Sequence, residues 1–267
     1  MRQKHNRLAN KTVLVTGASS GLGEQIAYEA AKQGAVVIVT ARRAECLKDV
    51  SAKCRRLSQR ESAYYVMNIE DFDSVEQTST ALKDAFGTVD VLVNCAGFGL
   101  FEPFLDFDMT AMERMFRVNV LGLMYLTQKI GIDMAASRHG HIINISSQAG
   151  KMATAKSTVY SATKFAVLGF SNALRLELKP LGVHVTTVNP GPIRTDFFQI
   201  ADKSGTYLQA VDRFLLEPQP LARKIVSIMG TPKREVNAPF IMEAASKAYT
   251  LFPTIGDFLA QTIFNKK

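Results

Sequence analysis

"TVLVTGASSGLGEQIA", residues 12–27, is the stretch on which the fold turns. Residues 12–16 are β-branched or apolar, as a buried strand requires, and Gly17 interrupts them. From Gly21 onward Leu22, Ile26 and Ala27 return at helical spacing, so strand, loop and helix follow one another directly. Gly17, Gly21 and Gly23 permit a tight turn and close backbone approach, with Ser19, Ser20 and Leu22 between them. The free N–H groups and positive dipole end of the helix suit a diphosphate. The same letters spell G-x-S-x-G, Gly17 to Gly21, the pattern of a nucleophile elbow with Ser19 as nucleophile. That second reading needs a histidine at another strand end. His5 is in the leading segment, His139 and His141 open an expected strand and His184 sits inside one, so none is placed for it.

Working outward, apolar runs at 35–40, 63–67, 89–94, 141–146 and 183–189 read as further buried strands, and 234–242 as a last one. Helical patterns cover 21–33, 43–60, 71–86, 108–137 and 157–180. This β-α alternation predicts an α/β fold: a doubly wound parallel sheet of about seven strands with helices on both faces. Repeats, low-complexity tracts and linkers are absent, so residues 1–267 read as a single domain. Within it, 1–10 form a basic N-terminal tail and 243–267 an amphipathic helical segment. Ligands of such sheets sit beyond the carboxyl ends of the strands. That directs attention to 16–23, 41–43, 94–97, 146–147 and 189–195, which five different strands deliver to one edge.

The bulk properties exclude several classes. The chain is 47% hydrophobic and 21% charged, and no run reaches the ~20 apolar residues of a membrane span. An apolar core of a secretory signal is missing, so the cytoplasm is the expected location. Cys46, Cys54 and Cys95 have neither CxxC spacing nor even number, which predicts free thiols and no metal site. Of the net charge of +8, residues 1–11 hold +4 and 42–60 hold +5, leaving the rest at −1. A leading segment and one helix face thus account for the excess, and no aromatic-interleaved basic motif points to nucleic acid.

"SSQAGKMATAKSTVYSATK", 146–164, sets Tyr160 four residues before Lys164. Tyr28–Lys32 and Tyr125–Lys129 share that spacing, which places two side chains on one helix face and by itself selects none of the three.

Taken together, "TGASSGLG" (16–23), "NCAG" (94–97), "NISSQAG" (144–150), "YSATK" (160–164) and "NPGPIRT" (189–195) resemble, in order, the motifs of the short-chain dehydrogenases/reductases. The resemblance spans about residue 10 to about residue 200. It implies a Rossmann-like fold and hydride transfer between a nicotinamide cofactor and a carbonyl or alcohol substrate. It also selects Tyr160, with a serine thirteen residues upstream at a strand end, as the catalytic acid/base. By the same register Ser147, not Ser146, orients the substrate oxygen, Lys164 holds the nicotinamide ribose, and Asn119 of "MFRVNVLG" supports a water next to Lys164. Lowering a phenol from about 10 to neutrality takes ~4 kcal/mol, which a cation about 4 Å away supplies. The cofactor contacts implied are the glycine loop, Asn68 and Ile69, then Asn94, Ala96 and Gly97, then Pro190, Gly191, Ile193 and Thr195.

After the second expected strand stands Ala41, where an acid would repel a 2′-phosphate, followed by Arg42 and Arg43. This predicts NADP(H) over NAD(H), with Arg42 as the main contact. The basic residue frequent inside the family's glycine loop is replaced by Ser19 and Ser20, and Asn68 stands where Asp is frequent. Residues 193–217 match the family's mobile lid. Phe98, Phe101, Met152, Phe197 and Phe198 are candidates for an apolar substrate pocket, suited to a hydrophobic ketone, aldehyde or 3-oxoacyl group. By the same resemblance the helices at 108–137 and 157–180 pair subunits in a homodimer or homotetramer. For the C-terminal helix, docking or dimerisation is favoured over contact with a membrane surface. Two alternatives stand beside the reductase: a catalytically silent NADP-binding sensor and the Ser19 hydrolase.

Overall fold

The computed structural model describes residues 7–202, 214–254 and 257. Seven strands form one parallel sheet: β1 (Thr12–Thr16), β2 (Val36–Ala41), β3 (Ser62–Val66), β4 (Val91–Asn94), β5 (Gly140–Ile145), β6 (Val183–Pro190) and β7 (Glu235–Ala238). Their order is β3-β2-β1-β4-β5-β6-β7, so the chain reverses its direction of growth between β1 and β4 and opens a crevice there. The central strands β1, β4 and β5 are buried throughout, which explains their continuous apolar character.

Helices α1 (Gly21–Lys32), α2 (Ala44–Ser58) and α8 (Pro218–Ser227) cover one face. The other carries α3 (Phe72–Phe86), α4 (Met109–Phe116), α5 (Leu123–Ala136) and α6 (Thr158–Leu178). Two further helices follow β6 and β7, the short α7 (Phe197–Ala201) and α9 (Phe240–Leu251). Val15 and Val39 pack under α1 and α2 while Leu14 and Ile38 pack under α3 and α5, the period-two alternation of strands buried on both sides.

Four features differ from the sequence expectations. The helix expected over 108–137 is broken by a π-helical segment, Arg117–Gly122, between α4 and α5. The last strand stops at Ala238 rather than 242, because Pro239 has no N–H for the ladder, and 240–242 open α9 instead. Helix α8 has no counterpart in the expected elements, although Pro218 at its first position is a helix-start signal. Residues 7–10 are no free tail: Leu8 is buried, its N–H donates to Gln33 O at 3.0 Å, and Arg7 donates to the carbonyls of Met229 and Val226. Residues 203–213 of the expected lid and most of 255–267 lie outside the described residues.

Candidate active site

A cleft of about 520 Å³ opens at the carboxyl edge of the sheet. Gly17 forms its floor with φ +64°, and a Cβ there would stand 2.7 Å from Ala96 Cα, so only glycine fits between the two loops. Gly23 lets α1 pack on the loop: a Cβ would lie 2.5 Å from Gly17 O. Thr16, which opens the 16–23 stretch and was not among the expected cofactor contacts, ties the neighbouring loop down. Its hydroxyl accepts the N–H groups of Cys95 and Ala96, both at 3.0 Å. The signal was available as a hydroxyl residue ending a buried strand, yet its partners are eighty residues away.

Arg43 closes one end of this cradle. Its Nε and Nη2 donate to Ser19 Oγ at 3.2 and 2.9 Å, and Nη2 donates to Ser20 Oγ at 2.8 Å. Arg43, rather than Arg42, is thus the arginine that reaches the glycine loop, while both line the cleft. Ser19 meets a guanidinium and no imidazole. His141 and His184 pair in register near the amino ends of β5 and β6, away from the carboxyl edge that forms the cleft. The nucleophile-elbow reading therefore lacks its base among the described residues. Asn68 donates from Nδ2 to Glu70 at 3.3 Å, which leaves its Oδ1 as the acceptor in the cleft wall. Glu70 is in turn held by Arg114 at 3.0 Å.

Tyr160 and Lys164 stand on the first turns of α6, 8% and 6% exposed. Lys164 Nζ donates to Ile145 O at 3.0 Å and lies 5.7 Å from the Tyr160 ring. Burial pulls the Lys164 ammonium down to about 8, so it is still charged at neutral pH. The other two tyrosine–lysine pairs are unlike it. Tyr125 donates to Glu76 at 2.7 Å and Lys129 pairs with the same carboxylate at 2.6 Å on the surface of α3 and α5. Lys32 pairs with Glu29 at 2.7 Å, and Tyr28 is covered by Lys53, 3.9 Å from the ring centre. Only Tyr160–Lys164 lines the cleft.

The two serines separate by environment. Ser146 is buried and donates to Lys164 O at 3.0 Å, while Ser147 is half-buried in the cleft wall and accepts from Ala149 N at 3.1 Å. Asn119 is not in the wall. It sits in the π-helical segment, 1% exposed, bonded to the backbone of Phe98 at 2.8 and 3.0 Å and to Thr163 Oγ1 at 3.2 Å. A Cβ at Gly97 would come within 3.0 Å of Asn119 Oδ1 and 3.7 Å of Lys164 Nζ, so Asn119 supports the loop over the lysine. Asn94 also departs from expectation. Its Nδ2 donates to Thr127 and Asn144, both at 2.8 Å, inside the sheet, and Cys95, Ala96 and Gly97 line the cleft in its place.

The remaining expected positions converge on the cleft: Leu22, Ala41 and Ile69, then Pro190, Gly191, Ile193 and Thr195. Phe98, Phe101, Met152, Phe197 and Phe198 line it as well. Phe101 and Phe197 set their ring centres 5.6 and 5.7 Å from Tyr160, so the apolar wall stands directly against the phenol. The ends of the expected lid are joined, Arg194 N to Leu216 O at 2.9 Å and Leu216 N to Pro192 O at 2.8 Å. Met242, at the end of the expected last strand but on α9 in the structure, adds a wall residue.

The family model for short chain dehydrogenase matches residues 11–204. Among curated proteins, 3-ketodihydrosphingosine reductase of Bos taurus is 32% identical over 246 residues, covering 90% of this chain and 72% of its own. An uncharacterized oxidoreductase of Staphylococcus aureus is 33% identical over 226 residues, covering 85% and 94%. Among solved structures, a serine dehydrogenase complexed with NADP+ superposes with a TM-score of 0.78 at 31% identity, covering 85% and 93%. The actinorhodin polyketide ketoreductase with NADPH gives 0.77 at 26%, covering 86% and 95%. Fold, motif order and matched length agree, and the chain belongs to the short-chain dehydrogenase family of oxidoreductases.

Proposed function

We propose that the protein is an NADP(H)-dependent carbonyl reductase or alcohol dehydrogenase with Tyr160 as its acid/base. The observation that carries this reading is the buried Lys164, set against Tyr160 at the base of the cleft that the glycine loop opens. The glycine cradle, which any side chain would fill, fits a dinucleotide diphosphate at the start of α1. Arg43 with Ser19 and Ser20, next to Arg42 and with Ala41 in place of an acid, fits a 2′-phosphate. A bound nicotinamide supplies or accepts the hydride. Ser147 orients the substrate oxygen, and Tyr160 donates its proton to that oxygen during reduction or takes it back during oxidation. Lys164 favours the phenolate left behind, and the aromatic wall excludes water.

The same wall favours a ketone carrying an apolar chain. The bovine relative, named for 3-ketodihydrosphingosine, and the polyketide ketoreductase are consistent with that class. Exposed Leu121 in the π-helical segment, Ile132 on α5, and Phe165 and Leu176 on α6 suit pairing with a second copy.

Fluorescence titration with NADPH and NADH tests the cofactor. Arg43→Ala is expected to weaken NADPH at least about tenfold, in line with the loss of a charge-assisted contact, and to leave NADH nearly unchanged. Tyr160→Phe is expected to lower turnover by about a thousandfold or more with NADPH binding intact. Wild-type turnover in that variant would remove Tyr160 from the mechanism.

A further inference from the structure

Past Ser147 the chain makes a short 3-10 turn, Gln148–Gly150, and reaches Lys151. Lys151 Nζ forms an ion pair with Glu235 of β7, the two side chains 16% and 19% exposed. The Glu235 oxygen that meets Lys151 also accepts from Asn189 Nδ2 of β6 and from Asn237 Nδ2, both at 3.4 Å. Asn189 Nδ2 donates to Asn237 Oδ1 at 2.8 Å, and Gln148 Nε2 completes the ring by donating to Asn189 O at 2.8 Å. Arg234 Nε lies 3.7 Å from the other Glu235 oxygen. One carboxylate therefore joins the loop that bears Ser147, the end of β6 that leads into the 189–195 turn, and the strand that leads into α9. Gly191 is fixed from the same side, its N–H donating to Ala238 O at 2.6 Å and Met242 Sδ packed over it.

Neither Lys151 nor Glu235 lines the cleft. A half-buried ion pair adds little stability over apolar packing of the same volume, because desolvation offsets the attraction. Its directional bonds do fix the spacing of the segments it joins, and a misplacement near 1 Å at a reacting centre costs about a hundredfold in rate.

We propose that Glu235, acting with Lys151, is a positioning residue for catalysis: its carboxylate sets Ser147 against the cofactor turn at 189–191 from outside the cleft. This rests on the reading of Ser147 and that turn as parts of a reductase site.

The test compares wild type with Glu235→Gln, Lys151→Met and the charge-conserving Lys151→Arg. In the first two, kcat is expected to fall about 10- to 100-fold while the NADPH Kd stays within about twofold and the melting temperature within about 3 °C. Lys151→Arg is expected to keep near-wild-type kcat. Amide hydrogen exchange over residues 145–152 and 187–195 is expected to speed up in Glu235→Gln, with the rest of the sheet unchanged. An unchanged kcat, a loss that only tracks a smaller folded fraction, or unaltered exchange in both segments would overturn the proposal. Should the wild type reduce no carbonyl compound, the functional reading fails by itself, and the exchange comparison still decides the role of Glu235.

Discussion

In the proposed mechanism Lys164 serves chemistry at the expense of stability. An ordinary lysine gives up its proton at 10.5, whereas burial brings this one to about 8. Between those pH values the unfolded chain holds a proton that the folded chain does not, so stability rises with pH across that window. Below it the whole penalty remains, about 3 kcal/mol. Lys164→Met removes the penalty but leaves Ile145 O without its donor, which costs about 1 kcal/mol. The variant is therefore expected to be inactive yet more stable at pH 7 by about 2 kcal/mol, with the gap closing toward pH 10. Urea unfolding at the two pH values measures this. Turnover in the reduction direction should show an alkaline limb near pH 8, where the ammonium is lost. A flat profile from pH 6 to 10 would contradict a catalytic charge on Lys164.

At the scale of elements, β5 and β6 are tied at their entry ends by His141. Its Nδ1 accepts from Gly230 N at 2.9 Å, so Nε2 carries the hydrogen and donates to Thr186 Oγ1 at 2.8 Å, which donates onward to Lys233 O. The imidazole is buried and its neutral form is the one the chain of bonds requires. Burial, and secondarily His184, pulls it down to about 3 from 6.5. From 6.5 down to 3 the unfolded chain takes up a proton that the folded chain refuses, so stability falls as the pH is lowered through that range. Between pH 6.5 and 5 this one group removes about 2 kcal/mol. In His141→Gln the loss of unfolding free energy between pH 7 and pH 5, measured by urea titration, should shrink by that amount. An equal drop in both proteins would mean that the acid sensitivity lies elsewhere.

At the scale of the whole molecule, several sets of large apolar side chains are uncovered among the described residues, one of them a stripe along α6 and along α5 with the π-helical segment before it. Leu121 and Ile132 stand eleven positions apart, as do Phe165 and Leu176, three helical turns in each case, and they are 44%, 61%, 45% and 72% exposed. A second copy on that stripe would need to bury about 1,200–2,000 Å² in total. Sedimentation at micromolar concentration is expected to show a dimer or tetramer, which Phe165→Glu together with Leu176→Glu converts to smaller species. A wild-type monomer would leave the stripe without that partner. Among the described residues no helix is long and apolar enough to cross a membrane.

What the sequence determined was everything that depends on local pattern. The seven strands, the glycine loop and the order of the motifs follow from alternation, from breakers and from residues that must be neighbours in the chain. The spacing of Tyr160 and Lys164 is shared by two other pairs, and it was the order of the surrounding motifs, through the family resemblance, that singled them out. What only the tertiary structure decided depends on residues far apart in the chain. Asn94 turned inward because Asn144 and Thr127 offered it better partners than the cleft did. Arg43 took the glycine loop because Ser19 and Ser20 lie across from it, at the end of a different strand. Nothing local to Thr16 or Glu235 names their partners, which arrive only when the strands are set side by side, since a hydrogen bond depends on distance in space and not on separation along the chain.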